Sequence, residues 1–122
     1  MQRVFNAMER DHVDALVVAD QPEHFTYRRL LVELAARYRI PAIYPFREHV
    51  ELGGLMSYSA DLSDIYRRVA NQIADVLKGI GPAEIPFYQP TKFELVINLT
   101  AANALGLIIP PMLLARADEV IE

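Results

Sequence analysis

The chain contains no cysteine among its 122 residues. Disulfide bonds, cysteine–zinc sites and thiol nucleophiles are therefore excluded. This absence leaves the compartment open, because a periplasmic and a cytosolic protein can equally lack cysteine. The three histidines, His12, His24 and His49, are scattered and form no HxH or HExxH spacing. We therefore predict no metal site and no cofactor, and we expect these histidines to hold surface or capping positions.

Positive charge and long hydrophobic runs are also scarce. Twelve Lys and Arg residues face sixteen Asp and Glu residues, for a formal net charge of −4. This balance gives no electrostatic attraction to nucleic acid or to anionic lipid, so neither is expected as a partner. The apolar runs are far shorter than the roughly 20 residues of a membrane span, and the opening MQRVFNAMERDH lacks the apolar core of a secretory signal. The chain is therefore expected to be cytoplasmic if this sequence is the full product.

Strand and helix periods alternate along the chain. The segments with strand character are DALVVA, PAIYP, GLMSYS and KFELVINL. Amphipathic helices are predicted over residues 23–38 and 61–77, where apolar residues recur at steps of three and four. This alternation predicts a single α/β domain over residues 1–122, in which helices flank a mostly parallel, three-layer, Rossmann-like sheet. A chain of this length can bury roughly two-thirds of its unfolded surface.

Several local signals fix the expected boundaries. Asp61 is the predicted N-cap of the long helix, and Lys78 and Gly79 end it. Its apolar stripe is expected to be core, with a partner-binding face as the alternative. GPAEIPFYQP reads as an extended connector, Thr100 as the cap of a short helix, and MLLARADEVIE as a last amphipathic turn or two.

Two of the five glycines, Gly53 and Gly54, stand side by side before the GLMSYS strand. A glycine can take positive φ at little steric cost, and it lets another group approach the backbone closely. The pair therefore predicts a tight turn or a close contact at this point.

Ligands of parallel α/β sheets bind at the carboxyl ends of the strands. The predicted ends are Ala19–Asp20, Tyr44–Pro45, Tyr58–Ser59 and Asn98–Leu99. Close behind one of them, Arg47 can grip a ligand carboxylate while Glu48 takes an ammonium group, and Tyr44 lies beside them. The alternative is a solvated loop whose charges pair with one another.

Three further side chains are candidates for ligand contact. Ser57 and Tyr58 place hydroxyl groups at a strand end, although a buried tyrosine bonded to backbone is equally consistent with the pattern. Asp20 has the position of a ligand residue, but a helix cap is favoured for it. Ser57 has no His or acid at a recognisable motif spacing, and we predict no catalytic residue.

The ordered strings DALVV, LAARYRIPAIYPFRE, GGLMSYS, YRRVANQIADVLKG, QPTKFELVINL, ALGLIIPP and LLARADEVIE resemble one family. The chain is similar to the C-terminal part of ABC transporter substrate-binding proteins of the tryptophan/tyrosine-uptake type, which have a type I periplasmic-binding-protein fold. The resemblance implies two Rossmann-like lobes joined by three crossovers, with GGLMSYS near a crossover and the long helix packed on the other lobe. Where the family continues SYG, this chain has Ser59, so the backbone there is expected to be strained or to have a different conformation.

The resemblance implies a solute-binding component of an ABC importer, in truncated form without its N-terminal lobe, and not an enzyme. The implied ligand is a small organic molecule related to aromatic amino acids, bound weakly or not at all by this chain alone. The implied partner is an importer permease, and the implied location is the periplasm. The alternative is a self-associating module, because faces that the family buries against the other lobe are exposed here and a homodimer would cover them. A Rossmann-like enzyme has only the fold class in its support.

Overall fold

The computed structural model describes all 122 residues. The strands are β1 (Leu16–Val17), β2 (Ala42–Tyr44), β3 (Met56–Ala60), β4 (Phe93–Asn98) and β5 (Glu119–Ile121). The helices are α1 (Gln2–Arg10), α2 (Pro22–Thr26), α3 (Arg28–Arg37), α4 (Arg47–Glu51), α5 (Leu62–Leu77), α6 (Leu99–Leu105) and α7 (Pro111–Leu114), and a 3₁₀ turn covers Pro82–Glu84. None of these helices combines the length and the apolar character that crossing a bilayer requires.

The five strands form one sheet in the order β1-β2-β3-β4-β5. The pairs β1–β2, β2–β3 and β4–β5 are parallel, which confirms the predicted α/β class with a mostly parallel sheet. Between β3 and β4, backbone hydrogen bonds join Asn98 to Leu55 and Asp61 to Lys92, so residue numbers rise on one strand as they fall on the other. These two strands are therefore antiparallel.

The reversed direction of β4 and β5 decides which residues share an edge of the sheet. The carboxyl ends of β1, β2 and β3 lie along the same border of the sheet, together with the amino end of β5. This border runs across the strands, and we call it an edge of the sheet below. Asn98 lies at the opposite edge, where its N–H bonds the carbonyl of Leu55 at 2.8 Å. The expectation that Asn98 and Leu99 share the edge of the other predicted strand ends was therefore wrong.

The chain divides into two compact units. The first unit comprises Met1–Ser59 and Leu95–Glu122, and the second comprises Ala60–Glu94. The chain leaves the first unit directly after Ser59, where the family resemblance implied a crossover, and it returns through β4. Ser59 itself is not strained, because the only non-glycine residues with positive φ are His12 and Arg39.

The core of the first unit lies between its sheet and the helices α1 and α3. Phe5 is the one buried residue of α1, and its ring lies 5.7 Å from that of Tyr38. The remaining buried members of this cluster are Val18, Leu31, Val32, Leu34, Ala35, Ile40, Ala42 and Tyr44. In β4, Leu95 to Asn98 are all buried, so this strand is covered on both faces.

The helix predicted over residues 23–38 is two helices that meet at Tyr27. The hydroxyl of Thr26, the last residue of α2, donates to the carbonyl of Pro22 at 2.9 Å. This kind of bond to the residue four positions earlier bends helices, which accounts for the break.

The adjacent glycines serve two different purposes. Gly53 has φ of +103°, a conformation that side chains rarely adopt. At Gly54, a Cβ atom would stand 2.7 Å from Cε2 of Tyr44 and 2.8 Å from the carbonyl oxygen of His49. The predicted turn falls on Gly53 and the predicted close contact on Gly54, and together they let the chain leave α4 and enter β3.

In the second unit, α5 has the predicted boundaries. The carboxylate of Asp61 accepts a hydrogen bond from the backbone N–H of Asp64 at 3.1 Å, and Gly79 follows the helix with φ of +99°. No residue of α5 is buried. Tyr66 is 70% exposed and Leu77 is 82% exposed. The expectation that this stripe is core was wrong, because Pro82–Pro90 cover it only in part and leave an open groove.

Two predictions for the last part of the chain also need correction. The side chain of Asn98, not that of Thr100, caps α6 by accepting from the N–H of Ala101 at 2.9 Å. The predicted last helical turn is present as α7, but residues 119–121 of the same segment form β5, because they pair with β4 in the register of Val96 with Glu119.

Candidate functional site

The edge where β1, β2 and β3 end carries most of the predicted ligand residues. Tyr44, the last residue of β2, pairs in register with Ser57 of β3. Asp20 follows β1, and α4 begins at Arg47, three residues after β2 ends. Because parallel strands bring their carboxyl ends together, the fold collects residues from positions 20 to 58 at one edge.

Arg47 is held by two carboxylates. Its Nε donates to Glu51 Oε1 at 3.0 Å, within α4, and its Nη2 donates to Glu119 Oε2 at 2.7 Å. The second bond ties the start of α4 to the first residue of β5. About two-fifths of the Arg47 and Glu119 side chains remain exposed, at 38% and 43%, so solvent weakens this pair.

Glu48 differs from its neighbours, because its Oε2 atom is buried and has no hydrogen-bond partner. Buried carboxylate oxygens are normally satisfied, so an unpartnered one requires an explanation such as a bound group that the chain alone does not supply. An ammonium or other N–H donor is the chemistry that would satisfy it.

The predicted ligand residues that carry a hydroxyl group, Tyr44, Ser57 and Tyr58, differ in how deeply they are buried. Tyr44 is 2% exposed and Ser57 is 1% exposed, so both side chains lie in the interior. Burial raises the pKa of Tyr44 to about 12, which keeps its hydroxyl neutral. Tyr58 is 57% exposed, since successive residues of a strand point to opposite faces.

Asp20 is exposed and does not cap the next helix. The residue at the cap position of α2 is Gln21, and no side chain bonds the first turn. The favoured assignment of Asp20 as a helix cap was therefore wrong. The other assignment, in which Asp20 contacts a ligand, stays a proposal.

The histidines do not all have the predicted surface positions. His49 is fully buried in α4, and its ring stacks on Tyr44 with centroids 5.0 Å apart. Its Nδ1 lies 3.2 Å from the carbonyl oxygen of Phe46, and its Nε2 is buried without a partner. Burial lowers the pKa of His49 below its ordinary value. His24 is partly exposed, with Nδ1 at 2.7 Å from the carbonyl of Ala19.

Sequence reasoning missed Glu119 and His49. Glu119 lies 72 positions from Arg47, and only the antiparallel turn of β4 brings it to this edge. No spacing in the sequence indicates that contact. For His49, the sequence did contain a signal. Tyr44 and Phe46 precede it closely and Val50 follows it, and such apolar neighbours favour burial.

The fold and this edge define a class of protein. An α/β sheet with charged and aromatic side chains gathered at its strand ends, and with a chain that crosses between two units, is typical of small-molecule binding proteins. Residues 1–121 match the family described as ABC transporter substrate binding protein, and the chain belongs to this family. The family is a class of binding proteins rather than of enzymes.

Solved structures support the same assignment. A conserved domain protein from Vibrio cholerae O1 biovar El Tor superposes with a TM-score of 0.89 at 26% identity, over 98% of this chain and 40% of that one. An ABC domain from Streptococcus pneumoniae, solved in complex with L-Trp, gives a TM-score of 0.87 at 29% identity, over 98% and 41%. A substrate-binding protein with adhesive properties from Clostridium difficile shares the fold, with a TM-score of 0.67 at 16% identity.

The chain spans about 40% of the length of the solved proteins it resembles. A search of curated proteins finds no match.

Proposed function

We propose that this chain is part of the solute-binding component of an ABC importer and that its ligand is a small organic molecule related to aromatic amino acids. Membership of the substrate-binding family supports the class of function. The ligand class is supported by the Streptococcus pneumoniae relative, which was solved with L-Trp. An importer permease is the proposed partner and the periplasm the proposed location.

The single observation that carries the proposed site is the buried, unpartnered Oε2 of Glu48. In this proposal it accepts hydrogen bonds from the ligand ammonium group. Arg47 binds the ligand carboxylate with the same guanidinium group that already pairs with Glu51 and Glu119. Tyr58 and Asp20 contact the ligand from exposed positions, while the buried Tyr44 and Ser57 support the edge from beneath.

Because the chain spans about 40% of its solved relatives, we propose that it contributes one wall of the cleft and that its own affinity is low. Millimolar binding corresponds to only about 4 kcal/mol, a range that one wall can supply. No catalytic step is proposed.

Replacing Glu48 should weaken L-tryptophan binding far more than replacing Glu33, an exposed glutamate of α3. Glu48→Gln removes the charge that pairs with the ammonium group, and we expect at least a tenfold loss of affinity, since charge-assisted hydrogen bonds contribute about 1.5–3 kcal/mol. Glu33→Gln, the same change at an exposed position of α3 that has no proposed ligand contact, should alter affinity less than twofold. Isothermal titration with L-tryptophan measures both.

The proposal fails if L-tryptophan and L-tyrosine show no saturable binding at millimolar concentration. Equal losses in the Glu48 and Glu33 variants would also contradict it, because the effect would then follow the net charge of the chain rather than the buried oxygen.

The second candidate function is self-association, and it is favoured by one observation: α5 has no buried residue. Its bare side chains face an apolar groove of about 570 Å³ that α5 forms with Pro82–Pro90, next to Phe87, which is fully exposed. Aromatic side chains bury roughly 150–250 Å² each. Tyr66 and Phe87 alone therefore offer a large part of the roughly 800 Å² per partner that a stable interface buries.

If the second unit pairs with a second copy, the chain should be a dimer by light scattering coupled to size exclusion. The double variant Tyr66→Glu, Leu77→Glu should then run as a monomer, because it places charges in the apolar face. Ile108→Glu is the matched control: Ile108 is 93% exposed but lies outside this unit, and its variant should remain dimeric. A monomeric wild-type chain at micromolar concentration would exclude this candidate.

A further inference from the structure

The buried histidine of α4 has no role in the site described above. His49 is fully buried, in contact with three aromatic rings. The ring centroid of Tyr44 lies 5.0 Å away, and those of Phe25 and Phe46 lie 6.4 Å away. These rings belong to α2, β2 and the residue before α4, so the imidazole fixes α4 against its surroundings.

The neutral form of the ring can make the hydrogen bond that the structure shows, and burial rather than hydrogen bonding disfavours the charged form. In a neutral imidazole one nitrogen carries a proton and the other is an acceptor. With the proton on Nδ1, that nitrogen donates to the carbonyl of Phe46 at 3.2 Å. Nε2 is then a bare acceptor, and it has no partner. Protonation of Nε2 would place a positive charge on a fully buried ring, at an atom that has no hydrogen-bond partner.

The charged and titratable groups that face the ring come from four elements. Glu48 on α4 favours the charged imidazole, and Arg28 on α3 disfavours it. On α2, His24 presents its backbone carbonyl, and on β2 the neutral Tyr44 stacks on the ring. Burial outweighs the favourable groups and lowers the pKa of His49.

We propose that His49 is a pH-sensitive anchor of α4, so that acidification loosens this helix and with it the Arg47 and Glu48 side chains that α4 carries. The effect on ligand binding rests on the proposed function, whereas the effect on stability does not. The folded chain accommodates the neutral ring, and protonation of the ring destabilises the folded chain.

The direction of the pH effect follows from proton linkage. In the unfolded chain His49 titrates near its ordinary value of 6.5, whereas in the folded chain its pKa is lower. Below pH 6.5 the unfolded state therefore binds a proton that the folded state does not, and stability falls as pH falls. The unfolding equilibrium shifts toward the unfolded state by up to about tenfold per pH unit, until the folded-state pKa is reached.

The first test is direct titration of the three histidine side chains in the wild-type chain by NMR. We expect His49 to titrate below its ordinary value of 6.5, with slow exchange of its ring protons. The second test compares melting temperatures between pH 7.5 and 5.5 for the wild type, His49→Phe and the exposed control His12→Asn. The wild type and the control should lose stability on acidification, and His49→Phe should lose less.

A His49 midpoint at or above 6.5 would overturn the proposal, and this measurement needs no variant to fold. An unchanged pH dependence in His49→Phe would overturn it too. Titration with L-tryptophan at pH 7.5 and 5.5 separates the two proposals. Loss of affinity at pH 5.5 in the wild type, but not in His49→Phe, supports the anchor. Absence of L-tryptophan binding at both values rejects the proposed function and leaves the stability result standing.

Discussion

Gly54→Ala is expected to destabilise the first unit by about 3 kcal/mol, the upper part of the range for overpacked interiors. The added Cβ would stand 2.7 Å from the ring of Tyr44 and 2.8 Å from the carbonyl oxygen of His49. The ring cannot move away easily, because it is buried and stacked on His49. The carbonyl belongs to α4, so relief of this clash must displace the helix that carries Arg47 and Glu48.

Two other glycines provide matched controls in the same urea denaturation series. Gly53→Ala meets no atom within 4 Å but has φ of +103°, so only backbone strain of about 1–2 kcal/mol applies. Gly81→Ala has φ of −65° and its nearest neighbour at 3.8 Å, so it should be neutral or slightly stabilising. If Gly54→Ala were no worse than Gly53→Ala, the close contact would have no energetic importance.

Asn98→Asp is expected to cost about 3 kcal/mol at neutral pH, because it buries a charge beside a carbonyl oxygen. Asn98 is 6% exposed. Its Oδ1 accepts from the N–H of Ala101 at 2.9 Å, and its Nδ2 donates to the carbonyl of Val50 at 3.3 Å. The aspartate keeps the acceptor that caps α6, but it replaces the donor to Val50 with a second acceptor.

Asn98→Ala separates the two contributions. It removes both bonds without introducing charge, and a loss of about 1–2 kcal/mol is expected from the cap and the unpaired carbonyl. Asn103→Asp, on the exposed face of the same helix, should change stability by less than about 0.5 kcal/mol. Thermal and urea denaturation measure all three variants. A cost for Asn98→Asp smaller than that for Asn98→Ala would mean that the cap, rather than the bond to Val50, is the important contact.

Gly54 and Asn98 are expected to contribute more to the free energy of unfolding than the ion pairs of Arg47 do. Gly54 and Asn98 both act on buried contacts with the last turn of α4, at the carbonyls of His49 and Val50, where no solvent weakens them. Arg47 and Glu119 are both partly exposed, so their pair contributes about 0–1 kcal/mol to folding. Variants of Arg47 are therefore informative about ligand binding, because they change stability little.

Much of the fold was predictable from local pattern. The long helix was placed correctly because Asp61 caps it, Gly79 ends it and its apolar residues have helical spacing. The strands at PAIYP and GLMSYS were predicted because short apolar runs between glycine and proline punctuation have few alternatives. The family resemblance is confirmed by the match over residues 1–121.

The site was less predictable, because its contacts join residues far apart in the chain. Arg47 and Glu48 were proposed from their position after a strand, but their environments differ in a way that no pattern indicates. One is held by Glu51 and Glu119, and the other has a buried oxygen without a partner. The burial of His49 depends on packing by Phe25 and Tyr44 from two other elements.

By itself, the sequence determined the alternation of strands and helices, the caps of α5, the glycine turn and the absence of cysteine chemistry. These properties depend on side-chain type and spacing over a few residues, and local physics decides them. Only the tertiary structure decided that β4 runs against β3, that Asn98 lies at the far edge and that the α5 stripe is bare. Strand direction and burial depend on which distant segments pack together, and the free energy of such contacts is not encoded in any single stretch of chain.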